Sequence, residues 1–345
     1  MNLEQYFIGK NTIVREAMKK LEMAKPKILF VVDGKRLMGS LTDGDLRRFL
    51  LASGKLEDTI ESACTKKPLV ANSHEEAKRL YDERDYVAIP IVDETGNVLD
   101  IYVGRLEEDK PSCKLDIPVV INAGGKGTRL DLFTKVLPKP LIPVGEYPIV
   151  EHILRRFVDY GCERFTMIVN YKKQLIKAFF SESENPYNIS FVDEEKPLGT
   201  GGGLSLLKND LKETFFFTNC DILVGDDYES MLKFHREKKN AITMVCAYKN
   251  IVIPYGVIEM GADGAIEEMK EKPELSFLTN TGLYIVEPEV LALIDDDTPI
   301  GFPDVIKKAK ALGMKIAAYP INGDEWMDMG QLPELEKTNE RLSKE

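Results

Sequence analysis

Histidine is scarce in this chain of 345 residues, with three in all, and its five cysteines stand far apart. Cys64, Cys113, Cys162, Cys220 and Cys246 form no Cys-x-x-Cys pair, and their number is odd. That spacing excludes a zinc site of the usual ligand pattern and a disulfide framework. Basic charge is also in deficit: 46 Lys and Arg against 57 Asp and Glu leave a formal net charge of −11. This argues against nucleic acid or an anionic membrane as the main partner, because either requires a basic face. No apolar run is long enough to span a bilayer. The opening MNLEQYFIGKNT has an acid at Glu4 and no apolar core of the kind a secretory signal needs. A reducing cytoplasm is the expected location.

What is present reads as a soluble globular protein, 43% hydrophobic and 30% charged, and its length predicts two domains. The first hundred or so residues hold an internal repeat. ILFVVDGKRLMGSLTDGDLRRF and YVAIPIVDETGNVLDIYVGRLEE each show an apolar run ending in Val-Asp (Val32-Asp33 and Val92-Asp93), a glycine-containing turn and a second apolar strand. A helical pattern precedes each copy: TIVREAMKKLEMA, and SHEEAKRLYDERD with Ser73 as N-cap. The repeat resembles a tandem pair of CBS motifs, small α/β modules that bind adenylates and other nucleotides. The resemblance implies a ribose-binding Thr and Asp at the strand-to-helix step, here Thr42 and Asp45; the second copy, DIYVGRLEED, lacks that Asp. The plainer alternative is a module that only packs or dimerises.

The charged, proline-bounded stretch from Glu107 to Pro118 reads as a linker between a domain at 1–112 and another at 117–345. Beyond it strand and helix alternate. PVVIN is a strand, YPIVEHILRRFVDYG a helix closed by Gly161, RFTMIVNY a strand and KQLIKAFFSES a helix. FFFTNCDI, DYESMLKFHREKK and AITMVCAYK continue the pattern. The alternation predicts an α/β fold with a doubly wound, mostly parallel, Rossmann-like sheet. Ligands of such sheets bind beyond the carboxyl ends of the strands, where the loop after Asn122 and the Asp after Cys220 both fall.

The loop Gly124-Gly125-Lys126-Gly127-Thr128-Arg129 is neither a Walker A loop nor a G-x-G-x-x-G fingerprint. Its backbone N–H groups can line a phosphate chain while the guanidinium makes a bidentate contact. With LPKPLIPVG following, and KPLGTGGG, TNCD, YGVIEM, KEKP, NTGLY and WMDMG further on, the region from Ile117 to Lys337 resembles the sugar-1-phosphate nucleotidyltransferases, or NDP-sugar pyrophosphorylases. Leu132 stands where that family often has proline.

The resemblance implies a reaction in which a sugar 1-phosphate attacks the α-phosphate of a nucleoside triphosphate and pyrophosphate leaves. It assigns catalytic positions to Arg129, Lys139 and Lys272, and Mg²⁺ to Asp221 and Asp328. Nucleotide contacts fall on Ala123, Gly124, Gly125, Gly127, Thr128, Glu194, Gly199 and Thr200, and sugar contacts on Tyr255, Gly256, Glu271, Asn280 and Gly282. Cys220 reads as core lining. No covalent intermediate is required.

Glu194 is the position that faces the Watson–Crick edge in the family, where pyrimidine-specific members usually carry Gln. A carboxylate only accepts hydrogen bonds, and guanine offers N1–H and N2–H₂ side by side. GTP is therefore the expected donor, with thymidylyl, cytidylyl or uridylyl transfer as the alternatives. CBS-fused members resemble enzymes of legionaminic acid biosynthesis, which implies glucosamine 1-phosphate as acceptor, with mannose, heptose and glucose 1-phosphates open. A non-catalytic regulatory subunit of the same fold is the competing class; such relatives usually lose one of the charged residues, all of which are present. Paired CBS modules also imply a homodimer or higher homo-oligomer.

Overall fold

The computed structural model describes residues 3–83, 86, 88–103, 114–182 and 187–342. The chain divides into two compact units, Met1–Asp109 and Lys110–Glu345. Residues 104–113, which carry Cys113, most of the expected linker and the second copy's strand-to-helix step, lie outside the described residues. Among the described residues no helix is long and apolar enough to cross a membrane.

In the first unit, strands Phe7–Gly9, Ile28–Asp33 and Arg36–Thr42 form one sheet, and Ile89–Val92 pairs with Val98–Tyr102 in another. The repeat is visible as geometry. Each hairpin has its register shift at the same place, between Val31 and Val32 in one copy and between Ile91 and Val92 in the other. The two turns also bond to each other, Leu37 N–H to Gly96 O at 2.9 Å and Val98 N–H to Lys35 O at 2.9 Å. Helices Val14–Met23 and His74–Glu83 precede the hairpins, and the Glu76 N–H bonds to Ser73 Oγ at 3.2 Å, as an N-cap requires.

The second unit is built on eleven strands that matter here. They are β1 (Val119–Asn122), β2 (Arg164–Val169), β3 (Asn188–Asp193), β4 (Phe215–Asn219), β5 (Ile222–Val224), β6 (Ile242–Val252), β7 (Val257–Met260), β8 (Ile266–Lys270), β9 (Glu274–Val286), β10 (Ile316–Ile321) and β11 (Trp326–Asp328). Seven of them form one sheet in the order β3-β2-β1-β4-β9-β6-β10. Only β9 runs antiparallel to its neighbours β4 and β6; the other pairings are parallel. The fold is thus mixed α/β with a large, mostly parallel sheet.

Alternation along the strands sets the two faces. Val119 and Ile121 belong to one core with α1 (Ile149–Asp159), α2 (Lys173–Glu182) and α3 (Tyr228–Lys238), while Val120 and Phe217 belong to a second core with α4 (Phe302–Ala311). Both sides are covered, which is why the central strands read as unbroken apolar runs. Helix α1 buries Ile149, Val150, Ile153, Leu154 and Phe157, one stripe of a 3.6-residue period, and Gly161 just beyond it takes φ 77°, the left-handed turn that ends it. The chain leaves β1 toward β2 and β3, then returns to lay β4 on the other side of β1. The crevice between the carboxyl ends of β1 and β4 is therefore a switch point, marked by Asn122 paired with Asn219.

β6 and β9 extend beyond the sheet as a two-stranded ribbon, and β7 and β8 continue it as a hairpin. The sequence pattern places AITMVCAYK as an ordinary strand; here it runs on to Val252.

Candidate active site

Asp221 follows β4, and β5 turns straight out of it. β5 pairs antiparallel with β11, Ile222 opposite Asp328, so this short ladder delivers two aspartates remote in sequence to one place. Met329 N–H bonds to Asp221 O at 2.9 Å and fixes the turn after β11. Lys139, from the Pro-Lys-Pro segment, forms a buried ion pair with Asp221, their side chains 11% and 9% exposed. Gly330 is the floor of this cluster. A Cβ there would lie 2.4 Å from Asp221 Oδ2, 2.9 Å from Asp328 Oδ1 and 3.0 Å from Lys139 Nζ. Only the absent side chain lets two carboxylates and an ammonium meet. The Gly330 N–H also donates to Asp328 Oδ1 at 2.9 Å, aiming that carboxylate.

The donor set suits Mg²⁺ in composition. Two carboxylates from separate strands leave the remaining positions to phosphate oxygens and water, as that ion prefers. No group of three or more His, Cys, Asp or Glu that could hold a metal occurs among the described residues. The protein alone would thus supply part of a coordination sphere.

The glycine loop leaves β1 and passes beside Lys139: a Cβ on Gly127 would lie 3.1 Å from the Lys139 Cβ. Arg129 sits on a single 3-10 turn, Thr128–Leu130, and is exposed, with no ion pair among the described residues. The segment after it is held from β2. Tyr171 Oη bonds to Thr134 O at 3.2 Å, and Lys172 Nζ reaches Thr134 O, Lys135 O and Val136 O at 3.1, 2.6 and 2.8 Å. Sequence reasoning missed this clasp, as it missed Gly330, because both act through neighbours that are distant in the chain.

Glu194 is 3% exposed. Its carboxylate is gripped between two glycines: a Cβ on Gly124 would come within 2.8 Å of Oε2, and one on Gly203 within 2.5 Å of Oε1. Oε1 has no hydrogen-bond partner. Burial pushes this carboxyl above its ordinary range, against a weaker opposing bond from the Leu198 backbone N–H. Asn170 Nδ2 holds the Glu194 carbonyl at 2.8 Å. Burial likewise pushes the Cys220 thiol up to about 12, which leaves it unsuited to act as a nucleophile.

Other expected positions serve structure in this state. Thr200 Oγ1 accepts from Phe302 N–H at 3.0 Å and so caps α4, while its carbonyl accepts from Asn122 Nδ2 at 3.4 Å. Asn280 spends its amide on Tyr284 Oη at 2.7 Å and on the Gly282 N–H at 3.1 Å. Tyr255, Gly256, Glu271 and Lys272 lie at the root of the β7–β8 hairpin; Tyr255 is 74% exposed, and Lys272 has no ion pair among the described residues. The structure therefore gathers Lys139, Asp221 and Asp328 directly and leaves Arg129 and Lys272 as uncommitted cations. In the first unit, Asp45 takes the Thr42 N–H and Oγ1 at 2.9 and 2.7 Å, Thr65 Oγ1 at 3.0 Å and Arg48 at 2.5 Å. Both of its oxygens are engaged in a capping box and its neighbours.

Residues 118–345 match the family model described as nucleotidyl transferase. A bifunctional protein GlmU of Methanococcus maripaludis is 33% identical over 220 residues, which is 61% of this chain and 51% of the relative. The mannose-1-phosphate guanylyltransferase catalytic subunit beta of Drosophila pseudoobscura pseudoobscura is 34% identical over 219 residues, covering 61% and 58%. The chain thus spans little more than half the length of these curated relatives. Among solved structures, HddC from Yersinia pseudotuberculosis superposes with a TM-score of 0.53 at 23% identity, covering 66% of this chain and 99% of that one. This likeness shows the fold alone. The chain belongs to the nucleotidyl transferase family.

Proposed function

We propose that the second unit transfers a guanylyl group from GTP to a sugar 1-phosphate, glucosamine 1-phosphate first among the candidates, and releases pyrophosphate. The observation that carries the transfer is the meeting of Lys139, Asp221 and Asp328 over Gly330, at the switch-point crevice beside a glycine loop. A phosphate oxygen attacking an anionic phosphorus is slowed by charge repulsion and by misalignment, so neutralisation and positioning supply most of the rate. Lys139 would stand against the α-phosphate. Arg129 would take the departing β- and γ-phosphates, and Lys272 the phosphate of the sugar. Mg²⁺ held by Asp221 and Asp328 would add Lewis-acid neutralisation of the phosphate oxygens when bound. The residues themselves orient the two substrates in line and move no proton, because the attacking phosphate oxygen is already ionised.

The guanine preference rests on Glu194. Its carboxylate only accepts hydrogen bonds, and guanine would offer it N1–H and N2–H₂ side by side where thymine or uracil would set carbonyl oxygens against it. HddC, one of the structural neighbours, has been captured with GMP-PN, and mannose-1-phosphate guanylyltransferases are among the relatives. A Bacillus anthracis protein described as a putative glucose-1-phosphate thymidylyltransferase is likewise a structural neighbour, with a TM-score of 0.52. For the first unit the reading is a CBS pair that senses a nucleotide at Thr42 and Asp45. Any ribose there would share oxygens already bonded to Thr65 and Arg48.

The test is pyrophosphate release with Mg²⁺, crossing GTP, dTTP, UTP and CTP with glucosamine, N-acetylglucosamine, mannose and glucose 1-phosphates. Turnover with GTP and one sugar is the expected result. Turnover with another triphosphate keeps the transfer chemistry and discards the Glu194 argument; turnover with none discards the catalytic reading. For the first unit, equal nucleotide affinity of the wild type and Asp45→Ala would count against the ribose site.

A further inference from the structure

A cavity of about 400 Å³ opens where α3 ends, β6 and β10 begin and β9 finishes. That is within the roughly 300–1,000 Å³ of small-molecule sites. β9 runs antiparallel to both β4 and β6, so β4 and β6 point the same way, and the cavity lies at the end of the sheet remote from the switch-point crevice. None of its lining residues has a part in the transfer proposed above.

The floor is a line of hydrogen bonds with one direction. The Glu287 carboxylate can only accept, so at 3.0 Å it sets the proton of His235 on Nε2, and it also takes the Thr214 hydroxyl at 2.8 Å. Burial lowers the His235 pKa and so favours the neutral ring, whose Nδ1 is then an acceptor and takes the Thr243 hydroxyl at 2.8 Å. Thr243 Oγ1, its proton spent, accepts from Asn240 Nδ2 at 3.0 Å. This line fixes which way the Asn240 amide points, because turned over it would set Oδ1 against an oxygen with no proton to give. Asn240 Oδ1 is left as a buried acceptor without a partner among the described residues, in a residue 2% exposed. Such an atom calls for an N–H or O–H donor.

The rim has the opposite character. Arg236 and Lys239 are exposed and form no ion pair among the described residues, and Lys315, whose Nζ donates to Lys238 O, stands with them. Glu287 and Glu289 line the wall. Three cations against two carboxylates leave a small positive balance, which suits one phosphate and not a polyphosphate. The carboxylates accept from hydroxyls, as Asn240 does. We propose that this cavity binds a phosphorylated polyol, its monophosphate on Arg236 and Lys239 and a hydroxyl reaching the floor at Asn240 Oδ1. Because cavity and crevice stand at opposite ends of the strands, both can be filled at once.

Isothermal titration of the full chain carrying Arg129→Ala/Lys272→Ala, which strips the crevice of its two uncommitted cations, tests this. The ligands are glycerol 3-phosphate, ribose 5-phosphate and glucose 6-phosphate, with inorganic phosphate for comparison. At least one of the three should bind one to one, about 10-fold or more tighter than inorganic phosphate. Adding Arg236→Glu/Lys239→Glu should weaken that binding by about 10-fold or more, and Asn240→Ala should bring it down to the level of inorganic phosphate. Circular dichroism checks folding; if Asn240→Ala does not fold, the exposed rim pair still decides. Binding of none of the three, equal affinity for inorganic phosphate, or binding unmoved by the rim variant would each overturn the proposal.

Discussion

Replacing Gly330 by alanine isolates the site's central geometry. The residue does not adopt a positive φ, so the backbone accepts a side chain. The obstacle is at the other end of the new bond. The methyl carbon would sit 2.4 Å from Asp221 Oδ2, 2.9 Å from Asp328 Oδ1 and 3.0 Å from Lys139 Nζ, against an ordinary contact of about 3.5 Å or more. Relief requires the ends of those three side chains to shift by amounts on the order of 0.5–1 Å. Displacements of that size at reacting groups lower rates by about 10²-fold, equivalent to about 2.7 kcal/mol of barrier. We expect kcat for pyrophosphate release to fall by that factor in Gly330→Ala, with the thermal midpoint almost unchanged, since the groups that move are flexible side-chain ends. The assay is steady-state turnover at saturating substrates beside a melting curve. Retention of more than half the wild-type kcat would refute the idea that Lys139, Asp221 and Asp328 must converge above residue 330.

The buried Lys139–Asp221 pair makes a stability prediction of its own. Lys139→Met leaves a buried carboxylate alone and should cost about 3–5 kcal/mol in denaturant unfolding, while adding Asp221→Asn should recover part of the stability but none of the activity. Glu194→Gln should shift donor preference from GTP toward a pyrimidine triphosphate by about 1–3 kcal/mol in relative kcat/KM; an unchanged preference would remove the base-reading role. The same variant has a pH signature. Burial raises the folded-state carboxyl above its unfolded value, so ionising it costs stability as pH rises through that range and costs nothing below it. Glu194→Gln should therefore gain thermal midpoint relative to wild type at pH 7, and the gain should vanish below about pH 4.5.

Much of the frame was legible from local pattern. Unbroken apolar runs such as FFFTN mark strands covered on both faces, and the glycine loop and Asp221 fall at strand ends because turn chemistry is local. The repeat in the first unit shows in the sequence as two apolar runs ending in Val-Asp, and the structure adds that both hairpins shift register immediately before that pair. What sequence could not carry were partnerships between distant segments. Nothing near Asp328 announces that β11 pairs with β5, and nothing near Lys139 says its resting partner is a carboxylate. The Asn280 amide looked available to a sugar until Tyr284 was seen to hold it, four residues on along an extended strand. The ribbon was hidden for a related reason: Ile251, Leu275 and Phe277 read like residues of a buried strand, yet among the described residues each is about half exposed.

The tripeptide Asn170–Tyr171–Lys172, at the end of β2, has a consequence for how specificity and rate can vary. Its first residue holds the backbone of Glu194, and its other two hold the carbonyls behind the Arg129 turn. One short mount thus carries both Glu194 and the segment behind Arg129, the two groups to which the proposed function gives the base and the phosphates. A tilt in that mount moves the two together, as two instruments bolted to one bracket lose alignment together. On the proposed function, a change in 170–172 would reach donor choice and turnover at once, whereas a change in Glu194 or Arg129 would reach one.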